Sequence, residues 1–237
     1  MFANKRVVIT GGSEGIGFAC AEYFSKRKAE VLITGRSREK LEKASERLSS
    51  ERLHTLVWDV TDFQNLNDRV IECAKKLGGI DIFINNAGLA AKVDFTGDIF
   101  GVTYDDWDIV MDTNLKSMYF ICQQVIRYML NAGIRGSIIN IGSEQGFRPG
   151  GYTPYSISKC AVDYLTKGFG RRFIKEGIRV NSVAPGAVNT TLQQRANILP
   201  ADAIAETVGF LASDSAWAIS GETVIVDRCE HMGVSWF

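Results

Sequence analysis

Seven short apolar runs rich in β-branched residues recur along the chain: RVVIT (6–10), EVLIT (30–34), HTLVWD (54–59), IDIFIN (80–85), SIINIG (137–142), IRVNSVA (178–184) and TVIVD (223–227). Amphipathic stretches separate most of them. A strand that is apolar on consecutive residues buries both faces, as a parallel sheet covered by helices requires. Alternating strand and helix then demands right-handed crossovers. The pattern predicts an α/β chain forming a single doubly wound domain over 1–237. Its frame is a seven-stranded parallel sheet with helices on both faces. At 237 residues and 46% apolar content, one unit can enclose such a core. Ligands of these sheets sit at the carboxyl ends of the strands, so the residues just after each strand carry the functional reading.

Composition removes several classes of function. The formal charge is zero, which leaves no basic footprint for nucleic acid or an anionic membrane. No uncharged stretch approaches the roughly 18 residues that span a bilayer. The opening MFANKRVVIT runs straight into a strand, with an apolar run too short for a secretory leader. Five cysteines, at 20, 73, 122, 160 and 229, are odd in number, widely spaced and free of C-x-x-C pairs. That usage fits a reducing, cytoplasmic setting. The two histidines, His54 and His231, lie far apart, so no metal site is expected.

The first strand is followed by TGGSEGIG, Thr10 to Gly17. Its Gly11-Gly12-Ser13-Glu14-Gly15 fits G-x-S-x-G, which would make Ser13 a nucleophile with the late His231 as its base. The same glycines also suit a phosphate. Gly11, Gly15 and Gly17 follow G-x-x-x-G-x-G rather than the commoner G-x-G-x-x-G. Gly11 and Gly12 permit a tight turn. Gly15 lets the backbone, with Ser13 and Glu14, approach a pyrophosphate, and Gly17 lets the helix pack close. From Ile16 onward the helix points free N–H groups at the anion. A nucleophile elbow draws an oxyanion donor from an earlier loop, and none precedes the first strand. The cofactor reading is therefore favoured, with the hydrolase as the lesser alternative.

The second run ends in Thr34-Gly35-Arg36-Ser37-Arg38. An acidic residue there would grip the ribose hydroxyls of NAD. Arg36, beside Ser37, instead suits a 2′-phosphate through bidentate, charge-assisted bonds. This favours NADP(H). Glu14 would repel a phosphate, which keeps NAD(H) open, and Arg36 and Arg38 could simply be solvated on the first turn of a helix. The third run ends in Asp59-Val60, where Asp59 either receives a bond from an adenine amino group or caps the helix after Thr61.

The stretch YTPYSISK, Tyr152 to Lys159, places Pro154 at a helix start. Ile157, Ala161, Leu165, Phe169 and Phe173 follow at i+4 spacing and are expected to pack on the sheet. Tyr155 and Lys159 share a face. A free phenol has a pKa of about 10, and a nearby ammonium lowers it by roughly 1–3 units, which would make Tyr155 an acid/base near neutrality. Ser143 directly follows the fifth run, where its hydroxyl could stabilise charge on a substrate carbonyl or could cap a helix or loop. Asn114, in MDTNLKS, is a poor residue for a helix interior. It could support a helix irregularity and a proton relay, or simply be a locally bonded polar residue.

Together with NNAG (85–88) and PGAVNT (185–190), these ordered blocks resemble the short-chain dehydrogenase/reductase family over essentially the whole length. The resemblance implies a Rossmann-type fold and a role for each residue. Tyr155 would be the catalytic acid/base. Lys159 would lower its pKa and bind the nicotinamide ribose. Ser143 would position the substrate oxygen, and Asn114 would hold a relay water. Asn85 would lie beside the adenine-side ribose, Asp59 and Val60 at the adenine, and Val188 and Thr190 against the carboxamide. Hydride would pass between nicotinamide and the substrate carbon. The family also implies a homotetramer or homodimer built on the helices holding Asn114 and Tyr155.

Two segments depart from the family. The stretch from Thr190 to Pro200 is short for a substrate lid. The last strand ends VDRCEHM where the family has Val-Asp-Gly-Gly, and the tail to Trp236 and Phe237 reads as a pocket or subunit-contact element. The pocket would be lined by 89–103, 144–152, 190–199 and the tail, with Phe95, Phe100, Phe147 and Tyr152 making it partly apolar. The expected activity is that of an NADP(H)-dependent ketone reductase or alcohol dehydrogenase acting on a small molecule. The alternative is a dinucleotide-binding sensor or scaffold without turnover.

Overall fold

The computed structural model describes residues 1–89, 99–148, 153–189 and 198–233. All seven predicted runs form strands: β1 (Arg6–Thr10), β2 (Glu30–Gly35), β3 (Leu53–Val57), β4 (Ile82–Asn85), β5 (Ser137–Ile141), β6 (Arg179–Pro185) and, last in the chain, β9 (Thr223–Val226). They make one sheet in the order β3-β2-β1-β4-β5-β6-β9, with every pair parallel. A short ribbon pairs β7 (Val188–Asn189) with β8 (Leu199–Pro200). The helices are α1 (Gly15–Ser25), α2 (Arg38–Leu48), α3 (Leu66–Leu77), α4 (Tyr104–Met111), α5 (Ser117–Asn131), α6 (Pro154–Phe173) and α7 (Ala201–Ala212). This is the expected doubly wound, Rossmann-type architecture. No helix among the described residues is long and apolar enough to cross a membrane.

Register explains why the strands are apolar on consecutive residues. Leu32, Val8, Phe83, Ile138 and Val180 align across five strands. They pack with Val70 of α3, Ile121 and Val125 of α5 and Val162 of α6. The adjacent row, Ile33, Ile9, Ile84 and Ile139, faces Ala19 and Phe24 of α1 and Ile204 and Val208 of α7. Each such side chain, fully buried, contributes about 1.5–3 kcal/mol. These two apolar layers hold the carboxyl ends of the strands at fixed spacing.

One expectation about α6 fails. Ile157 is 38% exposed, and Phe169 and Phe173 only half-bury against the core. The buried face of α6 carries Ser158, Lys159, Val162, Leu165, Thr166 and Gly170. The cause is lateral packing: Phe169 meets Tyr119 of α5 with ring centroids 5.3 Å apart, drawing the large stripe toward the neighbouring helix. Val162 and Leu165 meet the sheet core, and Ser158, Lys159, Thr166 and Gly170 share that inner face.

Candidate active site

The β1–α1 loop is shaped for an anion. Gly11 and Gly15 have φ of 65° and 57°, the left-handed region that glycine enters without strain. A Cβ on Gly17 would lie 2.3 Å from Gly11 O, so only glycine lets α1 start this close to the turn. Glu14 occupies the N-cap position of α1 without a side-chain bond to the helix amides. The N–H groups of the first turn therefore remain available to a bound anion. Asn86 clips the loop in place, its Nδ2 donating to Thr10 O and Gly11 O, each at 2.9 Å. Ile16 half-buries against the core below.

Ser13 and Glu14 adjoin the end of β2. A Cβ on Gly35 would sit 3.7 Å from Ser13 Oγ. Ser37 caps α2, its Oγ accepting from Lys40 N at 3.3 Å. Arg36 is exposed one residue earlier. The Glu14 carboxylate is ion-paired with Lys40 at 3.1 Å, so its charge is offset and a second cation joins Arg36 at this corner. Lys40 was not singled out from sequence. Its spacing from Ser37, one helical turn on, is the signal that could have found it.

Asp59 does not cap α3, which starts at Leu66 after Asn65; its Oδ1 closes a local turn, accepting from Thr61 N at 3.0 Å and Thr61 Oγ1 at 2.7 Å. Val60 is buried in the core beside it. Asn85 does not present its side chain to a ribose. Its Nδ2 donates inward to Asn140 Oδ1 at 3.0 Å and Cys122 Sγ at 3.2 Å, and Asn140 in turn donates to Thr166 Oγ1. This buried chain ties β4, β5, α5 and α6 together behind the site. Side chains alternate across a strand end, so the loop-facing role falls to Asn86.

At the centre, Ser143 follows β5 and is buried, accepting at Oγ from Gln145 N at 3.2 Å. Tyr155 is half-buried on the first turn of α6, where the Ser143 side chain favours its ionised form. Lys159 is buried one turn on, its Nζ 5.7 Å from the Tyr155 ring centroid and donating to Ile141 O at 2.9 Å. Burial lowers the Lys159 pKa to about 8. Tyr155 departs from expectation. Burial first, and the Glu144 charge, hold its phenol above the ordinary value, against the opposing influence of Ser143. The Lys159 ammonium, which donates to Ile141 O, does not bring the expected lowering.

Asn114 lies fully buried in a π turn, Asp112–Lys116, between α4 and α5. The predicted helix irregularity is there. Its Oδ1 accepts from Leu89 N at 2.8 Å, and its Nδ2 donates to Leu89 O at 3.2 Å and Ser158 Oγ at 3.3 Å. A Cβ on Gly88 would stand 3.2 Å from Asn114 Oδ1 and 3.7 Å from Lys159 Nζ. Gly88 thus keeps open a space bordered by both polar groups. Val188 is buried within the β7–β8 ribbon, paired with Leu199. Thr190, Phe95, Tyr152, Trp236 and Phe237 lie outside the described residues. Phe100 is 94% exposed, and Phe147 is half-buried.

The serine hydrolase reading does not survive. Ser13 sits beside β1, whereas His231 follows β9 and is bound to Asp227 at 2.7 Å. Three strands separate β1 from β9, which is about 19 Å at ~4.8 Å per strand.

Comparison with known proteins agrees with this fold. The family model described as short chain dehydrogenase matches residues 5–198. The chain belongs to the short-chain dehydrogenase family. It is 35% identical to gluconate 5-dehydrogenase of Gluconobacter oxydans (strain 621H), over 95% of this chain and 94% of that one. It is 32% identical to glucose 1-dehydrogenase of the same strain, over 95% and 91%. The solved structure of ElxO with NADP bound superposes with a TM-score of 0.88 at 28% identity, covering 98% of this chain and 100% of that one.

In this short-chain dehydrogenase the end of β9 is unusual. Arg228 and Cys229 adopt φ of 55° and 66°, the left-handed conformation that glycine takes freely. Asp227 anchors the turn, its carboxylate accepting from Cys229 N, His231 N and His231 Nδ1. Burial opposes its charge, but those bonds outweigh burial and hold it below the usual carboxylate range. The turn also reaches the Ser143 loop, because Arg148 pairs with Glu144 on one side and with Glu230, at 3.5 Å, on the other.

Proposed function

We propose that the protein is an NADP(H)-dependent oxidoreductase that interconverts a small-molecule ketone and the corresponding secondary alcohol. The observation that carries the reading is the gathering of Ser143, Tyr155 and Lys159 at the carboxyl end of β5, with Lys159 Nζ on Ile141 O and 5.7 Å from the Tyr155 ring centroid. The dinucleotide, when bound, supplies or accepts the hydride. Gly11, Ser13, Glu14, Gly15, Ile16 and Gly17 hold its pyrophosphate, and Arg36, Ser37 and Lys40 its 2′-phosphate. Asp59, Val60 and the Asn85-Asn86 strand end border the adenosine, while Val188 and Thr190 border the nicotinamide. Tyr155 Oη gives a proton to the carbonyl oxygen as hydride arrives at the carbon, or takes one in the reverse direction. Ser143 Oγ orients that oxygen, and Lys159 binds the ribose beside Tyr155. Asn114, locked to Leu89, holds the relay beneath them.

The rest of the reading follows the family. The chain acts as one domain over 1–237, in the cytoplasm, as a homodimer or homotetramer through α5 and α6. Those helices expose Tyr119, Phe120, Ile157 and Tyr164, the last at 81%. Fluorescence titration with NADPH and NADH tests the cofactor assignment. Wild type is expected to prefer NADPH, and Arg36→Ala to lose about tenfold or more for NADPH alone, as for a hydrogen bond to a charged group. Preference for NADH, unchanged by the substitution, overturns NADP(H). The non-catalytic sensor has no specific observation in its favour.

A further inference from the structure

Ser158 directly precedes Lys159 on α6 and is fully buried. Its hydroxyl donates to Tyr155 O at 2.7 Å, one helical turn back. Serine often makes such a bond within its own helix, and by itself the bond says little. Ser158 Oγ also accepts from Asn114 Nδ2 at 3.3 Å, across from the π turn between α4 and α5. One hydroxyl therefore links the buried amide of Asn114 to the turn of α6 that carries Tyr155. Donors and acceptors run in one sense, from Asn114 to Ser158 to the Tyr155 carbonyl.

The Asn114 amide is then fully committed on its donor side. An asparagine carries two N–H donors and an oxygen that accepts twice. Leu89 O takes one N–H at 3.2 Å, Ser158 Oγ takes the other, and Leu89 N gives to Oδ1 at 2.8 Å. Turning the amide round would set its N–H against the Leu89 N–H and its oxygen against the Leu89 carbonyl. What remains is one acceptor position on Oδ1. It borders the space that Gly88 keeps open: the point a Cβ there would occupy is 3.2 Å from Oδ1 and 3.7 Å from Lys159 Nζ. An ammonium brings only donors to that space. Asn114 faces it as an acceptor alone, so a hydroxyl between the two accepts from Lys159 and donates to Asn114.

We propose that Ser158 is a positioning residue: by holding the second N–H of Asn114, it fixes the polarity of the proton relay and couples the relay to the turn that bears Tyr155. The inference rests on the oxidoreductase reading and deepens it. As hydride reaches the carbonyl carbon, Tyr155 Oη gives its proton to the oxygen, and the phenolate regains one from solvent before the next turnover. An Asn114 N–H turned into the Gly88 space would compete there with the donors of Lys159 and slow that return. Ser158 acts through Asn114 and takes no proton itself. Removing its hydroxyl strands an amide donor in a fully buried place, where an unmade bond is costly. Asn114 then tilts toward the Gly88 space to satisfy it.

The test compares Ser158→Ala with wild type, using NADPH and a small ketone that wild type reduces, in H2O and in D2O. Ser158→Ala should lose about tenfold in kcat, while its NADPH Kd and ketone KM stay within about twofold. Its solvent deuterium isotope effect on kcat should rise above the wild-type value, because proton return becomes the slow step. A merely structural role gives a different result: partly unfolded protein lowers the active fraction and leaves the isotope effect where it was. A normal kcat, a loss matched by weaker NADPH binding, or a lower kcat with an unchanged isotope effect overturns the proposal. Should Ser158→Ala fail to fold, Ser158→Cys keeps the volume with a weak hydrogen-bonding group and is read in the same way. An oxidoreductase reading that failed would show itself separately, as wild type that reduces no ketone, and the proposal would fall with it.

Discussion

At the scale of single residues, neighbours one position apart take opposite roles. Both asparagines of NNAG were legible as part of the cofactor end of the fold. Strand alternation turned Asn85 inward to Asn140 and left Asn86 to hold the glycine loop. Which asparagine faces which way depends on where β4 ends, and short-range pattern does not settle that. Tyr155 and Lys159 were legible from their spacing, but their ionisation was not, because the burial that shifts both comes from other elements of the fold. Lys159 carries a prediction of its own. Burial lowers its pKa to about 8 from an ordinary 10.5. Between those values the unfolded chain holds a proton that the folded chain lacks, so this group's penalty is full below pH 8 and fades toward pH 10.5. Lys159→Met should therefore be more stable than wild type at pH 7, by on the order of 3 kcal/mol. The gap measured by urea unfolding should shrink as pH rises. The raised thiols Cys20, Cys73 and Cys122 act equally in both proteins and drop out of the difference. A gap that is constant with pH would contradict the buried, depressed ammonium.

At the scale of elements, the strands were legible nearly to the residue because each is apolar on both faces and ends in a glycine or polar turn. The face of α6 was not. Its largest apolar residues follow helical spacing, yet only Leu165 of that stripe reaches the inner line, which it shares with Val162, Ser158, Thr166 and Gly170. Hydrophobic spacing reports that a helix has an apolar stripe, but it does not say whether a sheet or a second helix receives it. The turn after β9 was visible as an anomaly, Arg228-Cys229 in place of two glycines, and its backbone shows what the anomaly entails. A non-glycine residue in the left-handed region costs roughly 1–2 kcal/mol. Cys229→Gly is expected to recover about 1 kcal/mol, and Cys229→Val to lose stability, in paired thermal unfolding of the exposed position. Equal midpoints for all three proteins would show that the turn is unstrained.

At the scale of the whole molecule, one sheet brings together groups that the chain spreads from Gly11 to Glu230. Its central strands supply the glycine cradle, the β4 clip and the Ser143 loop. Helix α6 lays Tyr155 and Lys159 across their ends, and the turn after β9 closes the charge network through Arg148. The account stands or falls on Tyr155 acting as the proton donor at this junction. The direct measurement is NADPH oxidation by Tyr155→Phe and wild type against a panel of small ketones, alongside NADPH binding by each. The account predicts that wild type turns over at least one ketone. It also predicts that Tyr155→Phe loses about 10²–10⁴-fold in kcat while binding NADPH as wild type does. A variant that keeps wild-type turnover, or a wild type that binds NADPH and oxidises none of it with any ketone, would contradict it.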